Sequence, residues 1–187
     1  MSIQDNLYDY DKNYNTYLIK LAPKKYLDIF NNLDHYPIKK RDINQDVINY
    51  IEDCSNDIPL NFNLKIEILI RNEEKNCDLE ERTRKGINNY FLYSMDFYKN
   101  LSKQNIQKSI IYALVFLFFT VVTLYLQSLK LDMNKILLKT IFEGMTIGSW
   151  VFLWEAIVTF FIKNRQNHFM IKTYTRLISS EITFNYS

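Results

Sequence analysis

The sequence predicts a mainly α-helical membrane protein, in which a two-helix transmembrane hairpin carries a small soluble α+β domain closed by a C-terminal strand. Two long apolar runs, residues 109–129 and 140–162, predict the hairpin. Strict alternation of apolar and mostly polar residues over 62–70 predicts a strand in the polar part of the chain. The mean hydropathy of -0.22 hides both features because it averages polar and apolar regions.

The N-terminal region divides into a tail and the start of the soluble domain. Residues 1–15 are rich in Asn, Asp and Tyr and show no periodicity, which indicates a flexible polar tail. The soluble domain is expected to cover residues 16–108. Its first element, Thr16–Leu21, is a β-prone run that ends before Pro23.

A helix is expected next. Asp42 followed by Gln45 resembles a capping box, and Asp57 and Pro59 mark the end of the helix. Its apolar residues recur at helical spacing: Ile43, Val47, Ile51 and Cys54.

The strand over residues 62–70 needs partners, because the backbone groups of a lone strand are left without hydrogen bonds. Two runs can supply them, Thr16–Leu21 and Glu181–Tyr186. We therefore expect the end of the chain to return to the soluble domain and add an edge strand.

One long helix is expected to lead into the membrane, from residue 79 to residue 129. Asp78 and Glu81 resemble a start signal, and no proline interrupts the helix. Two pairs at four-residue spacing support its first turns: Glu80 with Arg84, and Glu81 with Lys85.

The first apolar run, residues 109–129, carries no charged side chain, and its length corresponds to about 31 Å of helix. Lys108 and Lys130 border it. The expected hairpin covers residues 109–162. A membrane-proximal basic segment and the terminal strand, residues 163–187, follow it.

Both termini are expected on the cytoplasmic side of the cell membrane. No cleavable signal precedes the first domain, and the two cysteines fit neither a zinc site nor a disulfide framework. Basic residues flank the hairpin on the side of the tails. They are Lys99, Lys103, Lys108, Lys163, Arg165, Lys172 and Arg176.

Two of the three glycines, Gly144 and Gly148, form a G-x-x-x-G motif in the second span. Small residues let membrane helices approach closely, so both glycines are candidate helix-packing residues. The partner helix is either the first span of the same chain or the second span of another subunit.

Two carboxylates, Glu143 and Glu155, lie in the second span and are costly at membrane depth. Glu143 follows Lys139 by four residues, which predicts an ion pair. Glu155 is expected opposite residues 116–117. Its role is either a structural hydrogen bond with Tyr112 or Thr120, or an ion- or proton-related function.

Trp150 and Trp154 lie one turn apart in the middle of the second span. Tryptophan there usually packs between helices, so both are candidate packing residues, with Trp154 filling space beside Glu155. A ligand cage is the alternative.

The segment E-G-M-T-I-G-S-W-V-F-L-W, Glu143 to Trp154, resembles the E-G-x-x-x-G-x-W-x-x-x-W signature of small, largely uncharacterised prokaryotic two-span membrane proteins. The resemblance implies a soluble N-terminal segment, two spans and a β-prone tail, and no particular chemistry. Members have Arg-Pro after the second Trp, where this chain has Glu155 and Ala156.

No nucleotide-binding, zinc-protease or serine-hydrolase motif occurs, so no catalytic, cofactor-binding or metal site is expected, and no enzyme. The net charge of +2 gives no reason to expect nucleic acid as a partner. The expected partners are the lipid bilayer, an unidentified cytosolic protein and further copies of the chain through the second span. The two spans and the lack of a catalytic motif favour an integral membrane scaffold or interaction protein. An oligomeric channel lined by the second span is the alternative.

Overall fold

The structure is a computed structural model that describes residues 7–129 and 136–187. The first part of the expected tail, residues 1–6, and the expected connection between the spans, including Lys130, lie outside the described residues. The chain forms two compact units. The α/β unit contains the residues up to Phe97 together with Met170–Ser187, and the helical unit is Tyr98–Phe169.

The secondary structure is mostly helical, with one small sheet. In chain order the elements are β1 (Asp9–Asp11), β2 (Thr16–Leu21), two short 3-10 helices (Tyr26–Ile29 and Ile38–Lys40), α1 (Gln45–Asp57), β3 (Asn63–Ile70), α2 (Cys77–Ser128), α3 (Ile136–Ile157), a π-helical segment (Val158–Lys163), α4 (Asn164–Ile178) and β4 (Glu181–Tyr186). The single long helix expected over residues 79–129 is confirmed as α2.

The four strands form one sheet in the order β1-β2-β3-β4. β1 pairs antiparallel with β2, whereas β2 with β3 and β3 with β4 are parallel. Lys65 lies opposite Glu181, and Ile70 lies opposite Tyr186. Both candidate partners, Thr16–Leu21 and the terminal strand, pair with β3. The expectation that the end of the chain adds an edge strand is confirmed, because β4 is an edge of the described sheet.

One face of the sheet forms the core of the α/β unit. Alternate side chains along β3 are buried while those between them are half-buried or exposed, as the period of two requires. The buried side chains on the strands are Tyr17, Ile19, Leu64, Ile66, Ile68, Ile70 and Ile182. Helices α1, α2 and α4 contribute Ile48, Ile51, Ile87, Phe91, Tyr174 and Leu177 to the buried set.

β1 lies in the stretch that was expected to be a flexible tail, so that prediction is wrong for Asp9–Asp11. Tyr10 fixes this strand, because its ring centroid lies 4.6 Å from that of Tyr17 and 5.9 Å from that of Phe62. The contact with Phe62 joins residues far apart in the sequence, and a strand of three residues is too short to show a period of two.

Helix α1 begins after Asn44, so the capping box expected at Asp42 is wrong. The Asn44 side chain accepts a hydrogen bond from the Asp46 backbone nitrogen at 3.0 Å. Asp42 cannot take that role because the chain beside it is extended: Ile43 forms a β-bridge with Phe30. The contact between Ile43 and Phe30 therefore selects Asn44, two residues after Asp42, as the capping residue.

Arg176 on α4 holds the C-terminal end of α1. Its guanidinium donates hydrogen bonds to the carbonyl oxygens of Ile58 and Pro59 at 3.0 and 2.9 Å, and to the Ser55 hydroxyl at 2.8 Å. A helix end has carbonyl groups without helical partners and a partial negative charge, and a cation satisfies both. Burial lowers the pKa of the Arg176 guanidinium from its ordinary value.

Helix α2 begins after Asn76, whose side chain accepts hydrogen bonds from the backbone nitrogens of Asp78 and Leu79, both at 3.1 Å. The start signal expected at Asp78 is thus two residues late. Asn76 does what the prediction assigned to Asp78, because an amide oxygen caps a helix as well as a carboxylate does.

Of the two ion pairs expected on α2, Glu81 with Lys85 is confirmed and Glu80 with Arg84 is wrong. Glu80 accepts a hydrogen bond from the Tyr186 hydroxyl. Arg84 donates to the Ile182 carbonyl oxygen at 3.3 Å instead. Both residues therefore form hydrogen bonds with β4. Spacing along the helix does not predict such long-range contacts.

The helical unit contains the apolar part of α2, together with α3, the π-helical segment and the start of α4. The windows that fit a membrane span are only 11% buried in α2 and 17% buried in the second helix, counted as Lys139–Ile178. Large apolar side chains thus cover the outside of both helices. Within the described residues, these two helices are long and apolar enough to cross a membrane.

Candidate functional site in the apolar helix pair

A row of buried side chains, all but one of them small or polar, joins the two apolar helices, and we call it the polar seam. Its members recur at multiples of seven residues, the spacing at which packed helices keep one face together. They are Ser102, Ser109 and Thr123 on α2, and Phe142, Ser149 and Ala156 on α3.

Hydrogen bonds across the polar seam fix the register of the helix pair. The Ser109 hydroxyl donates to the Ala156 carbonyl oxygen at 2.9 Å, and the Ser102 hydroxyl donates to the Asn164 side-chain oxygen. The rings of Phe119 and Phe152 stack, with centroids 6.0 Å apart and planes 3° apart. The pair is therefore closed by direct side-chain packing at these positions.

This register places Glu155 beside Ser109 and not beside residues 116–117, so the expected level of Glu155 is wrong. The difference of about seven residues corresponds to roughly 10 Å along the helix. The predicted register assumed that the two apolar runs begin and end at the same levels. In the structure the second helix continues to Ile178, and its apolar run extends past the level at which the first apolar run begins. Glu155 lies at the level where Lys108 begins the basic border, near the edge of the apolar region.

Glu155 forms an ion pair that the sequence did not predict. Its Oε1 lies 2.7 Å from the Lys163 Nζ and 3.3 Å from the Thr159 hydroxyl, which donates to it. The expected hydrogen bond with Tyr112 or Thr120 is wrong: the Thr120 hydroxyl has no hydrogen-bond partner among the described residues. Both side chains of the pair are partly exposed.

The π-helical segment Val158–Lys163 explains how Lys163 reaches a carboxylate eight residues earlier. Hydrogen bonds of the i to i+5 type give a wider turn than an α-helix. The wider turn brings Lys163 round to the face of Glu155, with Thr159 between them. The Lys163 Nζ also lies 3.4 Å from the Thr159 hydroxyl.

Glu143, at the other end of the span, is exposed and lies 4.0 Å from the Lys139 Nζ. The expected ion pair at four-residue spacing is confirmed at the limit of ion-pair distance. An exposed pair of this kind contributes little to stability.

Gly144 and Gly148 do not pack against the first helix. A Cβ atom built at either position meets no atom within 4 Å outside its own helical backbone, among the described residues. The intrachain version of the packing prediction therefore fails, because the polar seam and not the G-x-x-x-G motif faces α2. Contact with another subunit stays a prediction.

Trp150 and Trp154 are 62% and 66% exposed, so neither is buried between the helices. The Trp150 ring touches the edge of the pair, with its centroid 6.4 Å from that of Phe116. The expectation that Trp154 fills space beside Glu155 within the pair is not met, and the indole faces outward.

A second surface, the open sheet face, belongs to the α/β unit. It carries the half-buried or exposed side chains of β2, β3 and β4 around a surface cavity of about 780 Å³. Charged groups on it pair across neighbouring strands: Lys65 with Glu181 at 3.0 Å, Lys20 with Asp9, and the Asn185 amide with Glu67.

Neither surface assembles a recognisable catalytic group. The described residues contain no group of three His, Cys, Asp or Glu side chains that could hold a metal ion. Hydroxyl residues at spacings of seven and fourteen, Ser102, Ser109 and Thr123, are the sequence signal for the polar seam. Comparison with protein-family models, curated proteins and solved structures finds no match.

Proposed function

We propose that the chain is an integral membrane protein that holds its α/β unit at the cytoplasmic surface of the cell membrane, where the unit binds a protein partner and performs no catalysis. The observation that carries this proposal is the exposure of large apolar side chains all round the two long helices. In water such a surface would aggregate, whereas lipid solvates it.

Two other kinds of helix meet the same criteria of length and composition, and neither fits this chain. The core helix of a soluble protein is mostly buried, whereas the span windows here are 11% and 17% buried. A signal sequence lies near the N-terminus, whereas both helices follow a folded sheet and helix. These two observations support the proposal that the helices are membrane spans.

The sheet supports a hairpin with both flanks on one side. β3 precedes the apolar helices and β4 follows them, yet the two strands are hydrogen-bonded neighbours. An even number of crossings must therefore separate them. Basic residues bordering the apolar region favour the cytoplasmic side.

The open sheet face supports a binding role for the α/β unit. Parallel sheets normally have both faces covered, whereas here one face of three parallel strands carries only half-buried or exposed side chains. Leu18 and Leu69 sit half-buried among the paired charges of this face. Such a mixed surface, with polar groups at defined positions, fits another protein better than a small apolar ligand.

The channel alternative receives less support. It requires Glu155 to line a water path, but the carboxylate is paired with Lys163 near the edge of the apolar region. The resemblance of the Glu143 to Trp154 segment to small prokaryotic two-span proteins remains a prediction, and it agrees with an anchor.

Membrane insertion is tested by expressing the full chain and washing the membranes with alkaline carbonate and with high salt. We expect the protein to remain in the membrane until detergent is added. Release without detergent would overturn the proposal.

Cys77 is exposed and provides a built-in probe of topology. A membrane-impermeant maleimide should label it only after the cells are permeabilised, and Cys77→Ser is the control. Labelling in intact cells would place the α/β unit outside.

The partner surface is tested with a photo-crosslinker at Thr183 on the open sheet face, and a matched one at the exposed Asn89 on α2. A discrete adduct at Thr183, absent at Asn89 and lost on Lys65→Glu, supports the proposed surface. Equal adducts at both positions would contradict it.

A further inference from the structure

Three cations border the apolar helix pair without a carboxylate to neutralise them. Lys103 and Lys108 on α2 and Arg165 on α4 are exposed and make no ion pair among the described residues. The described part of the helical unit has two carboxylates, and each forms an ion pair: Glu143 with Lys139, and Glu155 with Lys163. We call Lys103, Lys108 and Arg165 the basic collar.

The register places Lys103 and Lys108 at the level of apolar surface on the second helix, and Arg165 follows that surface by three residues. Ser102 lies opposite Asn164 and Ser109 opposite Ala156, so residues 103–108 face the level of residues 157–163. At that level the second helix exposes Phe160, Phe161 and Ile162. The two helices therefore end their apolar surfaces at different heights, and Lys103 and Lys108 of α2 lie at the level of exposed rings on the second helix.

Only one environment suits both groups at once. Exposed phenylalanine and isoleucine side chains favour the acyl chains, whereas lysine and arginine there extend their charged ends toward the headgroups. Uncompensated cations at this boundary attract anionic lipids, with each charge near the surface strengthening the attraction about fivefold.

We infer that the basic collar binds the headgroups of anionic phospholipids, which supply the negative charge that the protein itself lacks at this level. The inference rests on the proposed membrane insertion. It adds the class of lipid, and it assigns Lys103, Lys108 and Arg165 as the residues that select it.

The test compares the full-length protein with Lys103→Gln/Lys108→Gln/Arg165→Gln. The matched control, Lys24→Gln/Lys39→Gln/Lys40→Gln, removes the same charge from exposed positions of the α/β unit. Each protein is reconstituted in liposomes of equal phosphatidylcholine and phosphatidylglycerol, extracted in mild detergent, and analysed for co-purified lipid.

We expect phosphatidylglycerol to be enriched with the original protein and the control, and the enrichment to fall at least about fivefold in the collar variant. High salt should weaken the enrichment, because the attraction is electrostatic. Equal enrichment in the collar variant would overturn the inference.

A second measurement does not depend on the variants folding. The thermal midpoint of the unaltered protein in detergent should rise with added phosphatidylglycerol and not with phosphatidylcholine or inorganic phosphate. An equal rise with inorganic phosphate would overturn the lipid assignment. A carbonate wash of the same liposomes separates the two proposals. If the wash releases the protein, the proposed membrane insertion is wrong. If the protein stays in the liposomes but shows no preference for phosphatidylglycerol, only the inference about the basic collar is wrong.

Discussion

Gly86 allows helix α2 to approach the chain segment that precedes α1. A Cβ atom at this position would lie 2.8 Å from the Ile38 carbonyl oxygen and 2.9 Å from a Phe30 ring carbon. Sequence reasoning sees only a residue that weakens a helix. The close backbone approach shows why a poor helix former stands in the N-terminal part of this helix.

Gly86→Ala is therefore expected to destabilise the α/β unit by roughly 1–2 kcal/mol, although alanine is the better helix former. The clash involves a backbone oxygen, which cannot rotate away as a flexible side chain could. Thermal unfolding followed by circular dichroism measures the effect. Gly144→Ala is the matched control, because the added methyl group there meets open space; a Gly86→Ala protein as stable as the control would contradict the expectation.

Tyr174 is buried, and its hydroxyl donates to Glu52. Burial is the main cause that raises the pKa of Tyr174, and the Glu52 hydrogen bond raises it further. Because the folded-state pKa lies above the unfolded value of about 10, this contribution to stability is complete below that pH and declines above it.

We expect the free energy of unfolding to fall as the pH rises above about 10, and to fall less steeply in Tyr174→Phe. Denaturant titrations at several alkaline pH values measure the slope. Tyr14→Phe, at an exposed tyrosine, is the control. Identical slopes for Tyr174→Phe and the original protein would show that Tyr174 is not the responsible group.

At the scale of single elements, the π-helical segment decides what Glu155 does. Its wider turn aligns Glu155, Thr159 and Lys163, and it converts an isolated carboxylate into one member of a partly exposed ion pair.

Glu155→Gln should therefore leave the helix content and the thermal midpoint nearly unchanged, because a partly exposed pair contributes little to stability. Ion flux through reconstituted liposomes should be the same as for the original protein, with Glu143→Gln as the control. A flux that the original protein supports and Glu155→Gln abolishes would revive the channel alternative.

Local sequence patterns predicted most of the elements and few of their contacts. Alternation over residues 62–70 identified β3, and apolar length identified both long helices. The register of the helix pair and the use of Arg84 were not predictable, because each depends on residues far apart in the chain. Strand β1 pairs with the nearby β2, but its three residues are too few to show a period. The G-x-x-x-G motif marks a helix face suited to close packing. Within the chain, however, the polar seam and not this face packs α2 against α3.

At the scale of the whole molecule, β4 is joined to β3 through the entire helical unit and still pairs with it residue by residue. Its Ile182 is buried, and its Tyr186 hydroxyl bonds to Glu80. The fold of the α/β unit therefore depends on a strand that follows the helical unit in the sequence.

Deletion of residues 181–187 is expected to lower the thermal midpoint of the α/β unit and to expose β3 to protease, because the strand loses a ladder of backbone hydrogen bonds. Limited proteolysis and circular dichroism measure both effects. Replacement of the exposed Glu181 and Asn185 by Ser is the control, since it keeps the backbone ladder. Unchanged protease resistance after the deletion would mean that β4 contributes nothing.

The interrupted connection between β3 and β4 also sets the order of events during synthesis. When β3 and the start of α2 have left the ribosome, the isoleucine-rich strand still lacks one neighbour, and it acquires that neighbour only after both apolar helices have been made. An unpaired strand edge of this kind invites association with other chains. A ribosome that stalls between the two apolar helices should thus leave a nascent chain that needs a chaperone, whereas one that has passed β4 should not.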